Sequence, residues 1–200
     1  MPVRGPKVKI ARALGLAITP KAGRIMEKRP FGPGQHGMAR KRNASVYKTQ
    51  LLEKQRLKHT YNVSEAQLHA AYTKATRAHG STGEKMLQIL ETRIDAVVLR
   101  LGFASSPYAA RQYVSHGHFE INGKRCWTAS HAVKPGDVVS VREKSKNHPQ
   151  IIEASSKAGD PPEYLQVDRD NLRGTLLSLP LRTQMPLALD EQLVIEFYSR

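Results

Sequence analysis

Asn122-Gly123 stands between two short runs of strand-forming residues in HFEINGKRCW. No other pair in the chain constrains the fold as much. Both residues tolerate positive φ, so the pair predicts a two-residue type I′ turn and fixes the two runs as an antiparallel hairpin. Just upstream, SSPYAARQYVSHG reads as a helix, with Ser106 as N-cap, Pro107 at the first helical position and Gly117 ending the helix after Val114. Downstream, VKPGDVVSVRE carries a Pro135-Gly136 turn and a further strand through Val138, Val139 and Val141. Helices beside a small antiparallel sheet make an α+β unit of about 60 residues.

Helical periodicity dominates the chain before this unit. SVYKTQLLEKQRLKHTY (45–61) offers Val46, Leu51, Leu52 and Leu57 as a packing side. SEAQLHAAYTKATRAH (64–79) opens on Ser64 and Gln67, and STGEKMLQILETRIDAVVLRLG (81–102) on Ser81 and Glu84, both at capping-box spacing. In the latter, Met86, Leu87, Leu90, Ile94, Val97, Val98 and Leu101 recur at three and four, and Gly102 is the C-cap. The run is one long helix or two with a break between Glu91 and Arg93. Beyond the hairpin unit, Pro149, Gly159, Pro161 and Pro162 mark 143–163 as a boundary, and 164–180 holds two strands around Asp168 to Asn171. In 190–200, Asp190 suits a helix cap while Val194, Ile195 and Phe197 would accept a strand; helix is the preferred reading.

The expected organisation is a basic N-terminal arm (1–44), a discontinuous helical domain (45–92 and 160–200) and an inserted small α+β module (93–159). The helices of 45–92 need an apolar partner, and Leu193, Val194, Ile195, Phe197 and Tyr198 form the apolar run left to supply it. The C-terminal segment is therefore expected to return and dock on them, with Glu191 and Glu196 pointing outward.

Charge then narrows the function. The net charge is +15, and residues 1–60 hold fifteen Lys or Arg against two acids, whereas 151–200 hold five against eight. A basic balance of this size calls for a polyanion, and nucleic acid is the usual one. RPFGPGQHGMARKR (29–42) has glycines and prolines that break any helix or strand, followed by three cations. It reads as backbone lying against that polyanion, ordered on binding. A membrane is the competing surface, but no basic amphipathic helix with an aromatic edge is present, and the apolar stretch from Ala13 to Ile18 is too short for a signal peptide or a span. One cysteine, Cys126, fits a reducing compartment. A soluble cytoplasmic protein is expected.

Enzymatic and metal readings find little support. Eight histidines are present, yet without a Cys pair there is no zinc-ligand spacing, and His116-x-His118 is the one close pair. Phosphate-binding loops, dinucleotide fingerprints and nucleophile elbows are missing from the sequence. No catalytic residue, metal or cofactor is assigned.

The stretch RIDAVVLRLGFASSPYAARQYVSHGHFEINGKRCWTASHAVKPGDVVSVREKS (93–145) resembles the RNA-binding module named after ribosomal protein number four of the small subunit. PFGPGQHG, LLEKQRLKHTYNVSEAQLHAAY, TGEKMLQILETRID and EQLVIEFYSR extend the likeness from about residue 5 to 200, to the bacterial or organellar family of that ribosomal protein. Some members carry a zinc-binding cysteine cluster in the arm; this arm has none, and 11–28 is its least family-like part. The resemblance implies a structural constituent of the small ribosomal subunit that binds the 5′ domain of its rRNA early and nucleates assembly. It implies a position by the path along which mRNA enters, beside small-subunit proteins three and five, and an influence on translational accuracy through protein five. It implies location in the ribosome, in the cytoplasm or in an organellar stroma or matrix. An RNA-modifying enzyme of the pseudouridine synthase type, carrying the same module, is the alternative, although little chain remains to build its catalytic domain.

Proteins of this family meet A-form rRNA, whose deep, narrow major groove excludes side chains, so recognition runs through phosphates and 2′-hydroxyls. The candidate RNA-binding residues are Arg29, His36, Arg40, Lys41, Arg42, Lys48 and Arg56 in the arm and first helix. In the module they are Arg93, Arg100, Arg111, His116, His118, Lys124 and Arg125. Arg93 serves equally well as an ion-pair partner of Asp95 or Glu91.

Overall fold

A computed structural model describes residues 5–39 and 43–200. Along the chain come α1 (Lys7–Leu14), α2 (Pro20–Lys28), α3 (Val46–Thr60), α4 (Glu65–Thr76), α5 (Thr82–Glu91), α6 (Ile94–Arg100) and α7 (Pro107–Ser115). There follow β1 (Phe119–Ile121), β2 (Lys124–Cys126), β3 (Val138–Val141), α8 (Pro149–Lys157), β4 (Leu165–Asp168), β5 (Arg173–Leu176) and α9 (Glu191–Tyr198). The class is α+β, in two compact units: Met1–Gly83 with Ala188–Arg200, and Glu84–Leu187.

In the first unit α9 lies against α3 and α4. Val194 is fully buried, Phe197 sits under the Lys54 ammonium at 4.6 Å, and Tyr198 stacks on Tyr72 with ring centroids 5.1 Å apart. Asp190 caps α9 by accepting from the Gln192 amide at 2.9 Å. Glu196 does not face outward as expected: Gln50 of α3 donates to it at 2.9 Å. Glu191 is half-buried, so close to Gly83 that a Cβ there would lie 2.8 Å from its Cγ. The Ser64–Gln67 capping box forms reciprocally, at 3.2 and 3.1 Å.

The arm departs from the reading of its sequence, which assigned it no helices. Ala11, Leu14, Ile18 and Ala22 are buried along α1, α2 and their connection, and Thr19 caps α2 with Pro20 at its first turn. Four small apolar contacts escape a periodicity search over so short and cationic a stretch. Residues 29–39 contain no helix or strand, as their glycines and prolines require.

One carboxylate gathers this unit. Glu65 accepts from Lys54 (2.9 Å), Lys58 (3.1 Å) and the Tyr198 hydroxyl (2.7 Å). Burial alone would raise its pKa, but the hydrogen bonds from Lys54, Tyr198 and Lys58 outweigh it and hold the group at about 2, below the ordinary 4.5. A depressed folded-state pKa contributes stability that is present above the unfolded value and fades as pH falls toward the folded one. Urea melts at stepped pH should therefore show the stability advantage of the wild type over Glu65→Gln shrinking between pH 5 and 2. An advantage constant across that window would contradict the network.

The periodic run 81–102 is two helices, α5 and α6. The chain breaks at Thr92-Arg93 because it forms there an isolated antiparallel bridge with Ala132: Ile94 donates to the His131 carbonyl at 2.9 Å and Val133 to that of Thr92 at 2.8 Å. Asn122 and Gly123 take φ of 50° and 75°, and Ile121 faces Lys124 across the two-residue turn. The antiparallel sheet has the order β2-β1-β3-β5-β4, so 165–176 completes this sheet rather than joining the helical domain, to which 160–200 had been assigned. The reason is edge satisfaction. β3 turns Val139 and Val141 into the core and would leave one ladder edge open; β5 closes it, with Val139 opposite Gly174. Within 143–163, read as a boundary, Pro149 instead starts α8, which buries Ile151 and Ala154.

Candidate nucleic-acid interface

The end of α7 and the β1–β2 hairpin create one surface. Gly117, at φ +71°, closes the helix: its amide donates to Val114 at 2.8 Å and that of His118 to Tyr113 at 3.0 Å. The chain then enters β1 with Phe119 and Ile121 turned to the core. Cys126 lies opposite Phe119 and packs on that core, so strand alternation sends Arg125 and Trp127 to the outer face. Arg125 donates from Nε to the Gly117 carbonyl and from Nη2 to the His116 carbonyl, both at 3.2 Å. Its guanidinium lies 4.5 Å from the Trp127 ring centroid, and Trp127 remains 55% exposed. A Cβ on Gly117 would come within 2.4 Å of Arg125 Nε and 2.8 Å of Trp127 Nε1, so the close fit depends on glycine. Lys124 is exposed at the turn, and an open groove of about 540 Å³ runs past Lys124, Trp127, Thr128, His131 and Lys134.

Histidines lie behind this face. The His118 ring is 6.1 Å from that of His116 and 5.4 Å from that of His148, and its Nδ1 meets Ser145 Oγ at 2.9 Å. Burial, then the charges of His148, His116, Arg125 and Arg142, push its pKa below the usual value, so the neutral ring is favoured at pH 7. His118 thus offers hydrogen bonding rather than charge, while His116 is exposed.

The structure sorts the sequence-derived candidates. Arg29, His36 and Lys48 are exposed in the first unit; Arg40, Lys41 and Arg42 lie outside the described residues. Arg56 donates to the Leu14 carbonyl at 2.9 Å and pairs with Glu53, so it fastens α1 to α3. Arg93 is a correction. It is buried and donates twice to Asp95, at 3.0 and 2.8 Å, which removes it from any interface. Arg100 is a second, because it pairs with the fully buried Glu91. Arg111 stands 3.6 Å from Asp95, with its side chain 22% exposed.

Two features were missed in the sequence. Trp127 carried no expectation in the sequence, although period-two alternation from the Asn-Gly turn places it outward. Arg12 was overlooked as an organiser of the glycine-rich loop: its guanidinium donates to the Phe31 carbonyl at 3.2 and 3.0 Å and to the Gly32 carbonyl at 3.0 Å. Among the described residues no group of three or more His, Cys, Asp or Glu could hold a metal ion, and no helix is long and apolar enough to cross a membrane.

Residues 2–91 match the family model described as Ribosomal protein S4/S9 N-terminal domain, and residues 92–139 match the S4 domain. Fold and matches together define an S4-domain protein with a helical partner unit. Small ribosomal subunit protein uS4 of Chlorobium phaeobacteroides is 45% identical over 199 residues, 98% of each chain. That of Streptomyces avermitilis is 50% identical over 200 residues, 98% of this chain and 97% of the relative. That of Micrococcus luteus is 44% identical over 204 residues, 96% and 95% respectively. The chain belongs to the small ribosomal subunit protein uS4 family, whose members are structural proteins of the ribosome and not enzymes.

Proposed function

We propose that this protein is a structural constituent of the small ribosomal subunit that binds the 5′ domain of its rRNA early and nucleates assembly there. The observation that carries the reading is the surface at the end of α7 and the hairpin, where Arg125 joins the exposed Trp127 to the His116 backbone and Lys124 is exposed at the turn. Arg29, His36, Lys48 and Arg111 add cations and a histidine from elsewhere in the chain, joined by Arg40, Lys41 and Arg42. Such a surface suits A-form RNA, whose phosphates and 2′-hydroxyls are accessible while its bases in the major groove are not. A place by the path along which mRNA enters, contact with small-subunit proteins three and five, and an effect on accuracy belong to the same reading, supported by the family alone.

The RNA-modifying alternative loses ground because the relatives that align with this chain over 95% or more of both lengths carry the name of a small-subunit ribosomal protein. Binding to small-subunit rRNA should weaken steeply with salt. About six phosphate contacts give a log–log slope of roughly −4 to −5, and Lys124→Ala should make it shallower by about one. A nearly flat dependence would contradict the reading.

A further inference from the structure

We propose that Trp127 is a stacking platform for one unpaired nucleobase of the bound RNA, a contact that rests on the rRNA-binding reading and makes it more specific. One face of the indole is occupied by the Arg125 guanidinium, itself held by the two carbonyls at the end of α7. The residue is nonetheless 55% exposed, which leaves ring surface open to water. An aromatic ring of this size is ordinarily buried on average, and it is the one tryptophan in the chain. Its ring already lies against the Arg125 guanidinium and beside Gly117 before any ligand arrives, so less entropy is lost when a flat group settles on it.

What flat group fits is decided by the surroundings. Trp127 shares its groove with Lys124, His131 and Lys134, and the carboxylate in that lining, Asp137, is engaged by Asn122 at 2.8 Å and by the Lys134 amide at 2.8 Å. Cations beside an aromatic face match a base attached to its phosphates rather than an apolar side chain of a protein. Paired bases keep both faces covered by their neighbours, so the occupant is a base in a loop, bulge or single strand. The Arg125 guanidinium behind the indole then extends the stack to base–indole–guanidinium.

Because the chain holds one tryptophan, its emission reports the site directly in the full-length protein. Titration with a short single-stranded RNA should quench Trp127 emission. The same oligonucleotide with abasic positions should bind through its phosphates yet leave the emission unquenched. Trp127→Leu should weaken binding to small-subunit rRNA roughly 5- to 100-fold, within the range of one base–aromatic stack, while Trp127→Phe retains most of it. If small-subunit rRNA binds and the wild-type emission is unaltered, the stacking platform is wrong and the rRNA-binding reading stands. If that RNA does not bind at all, both fall.

Discussion

Glu91→Ala should destabilise the second unit by about 3–5 kcal/mol, because it leaves a buried ion pair with one partner. The Glu91 side chain is fully buried, between the Arg100 guanidinium and the Tyr164 hydroxyl, which donates to it at 2.7 Å. Tyr164 is itself 1% exposed, and burial together with the Glu91 charge raises its pKa well above the ordinary value, so it stays a neutral donor at every working pH. Removing the carboxylate takes an acceptor from that hydroxyl and the paired negative charge from Arg100 in one step. The three residues tie α5, α6 and the chain entering β4, so their loss reaches the sheet as well as the helices. Urea unfolding of the full chain, followed by a probe within 84–187, should show the midpoint fall. Glu153→Ala serves as the control, since its pair with Lys157 at 2.5 Å is solvent-exposed and should leave the midpoint unchanged. Equal effects of the two variants would contradict the buried triad.

Gly102→Val should cost about 2–5 kcal/mol, from two separate causes. The residue sits at φ +83° just past α6, where the Phe103 amide returns to Val98 at 3.1 Å, and a β-branched side chain loses about 1–2 kcal/mol in that conformation. A Cβ would also lie 2.3 Å from the Ala158 Cβ, and overpacking typically adds about 1–3 kcal/mol. Ala158 has no flexible end to swing away. The causes separate in a double-mutant cycle: Gly102→Ala combined with Ala158→Gly should recover the steric part and leave the backbone part. Purely additive losses would mean that the two residues do not meet.

Legibility in the sequence follows the range of the interaction responsible. The Asn122-Gly123 turn, the Ser64–Gln67 box and the glycines at 102 and 117 are each decided within about five residues, and each was readable. The placement of β5 beside β3 depends on an edge more than thirty residues away, so two correctly anticipated strands were assigned to the wrong unit. α8 was hidden for a different reason: Pro149 reads as a breaker unless it is taken as the first residue of a helix.

The candidate interface shows the same limit. Charge and family resemblance found Lys124, Arg125 and His116, but cannot distinguish an arginine that faces water from one consumed inside the fold. Arg93 and Arg100 lie on a helix start and end where either outcome satisfies the pattern; their carboxylates, Asp95 and Glu91, are what settle it. Trp127 needed only the alternation of a three-residue strand, a signal too short to stand out before the register is known.

Hydroxyl-radical footprinting of this protein on naked small-subunit rRNA would locate the contact that the proposed function requires. A compact set of protected riboses confined to the 5′ domain is expected, with the protections due to the second unit weakened by combined Lys124→Ala and Arg125→Ala substitution. Protections scattered across all domains, or a footprint unchanged by those substitutions, would contradict it.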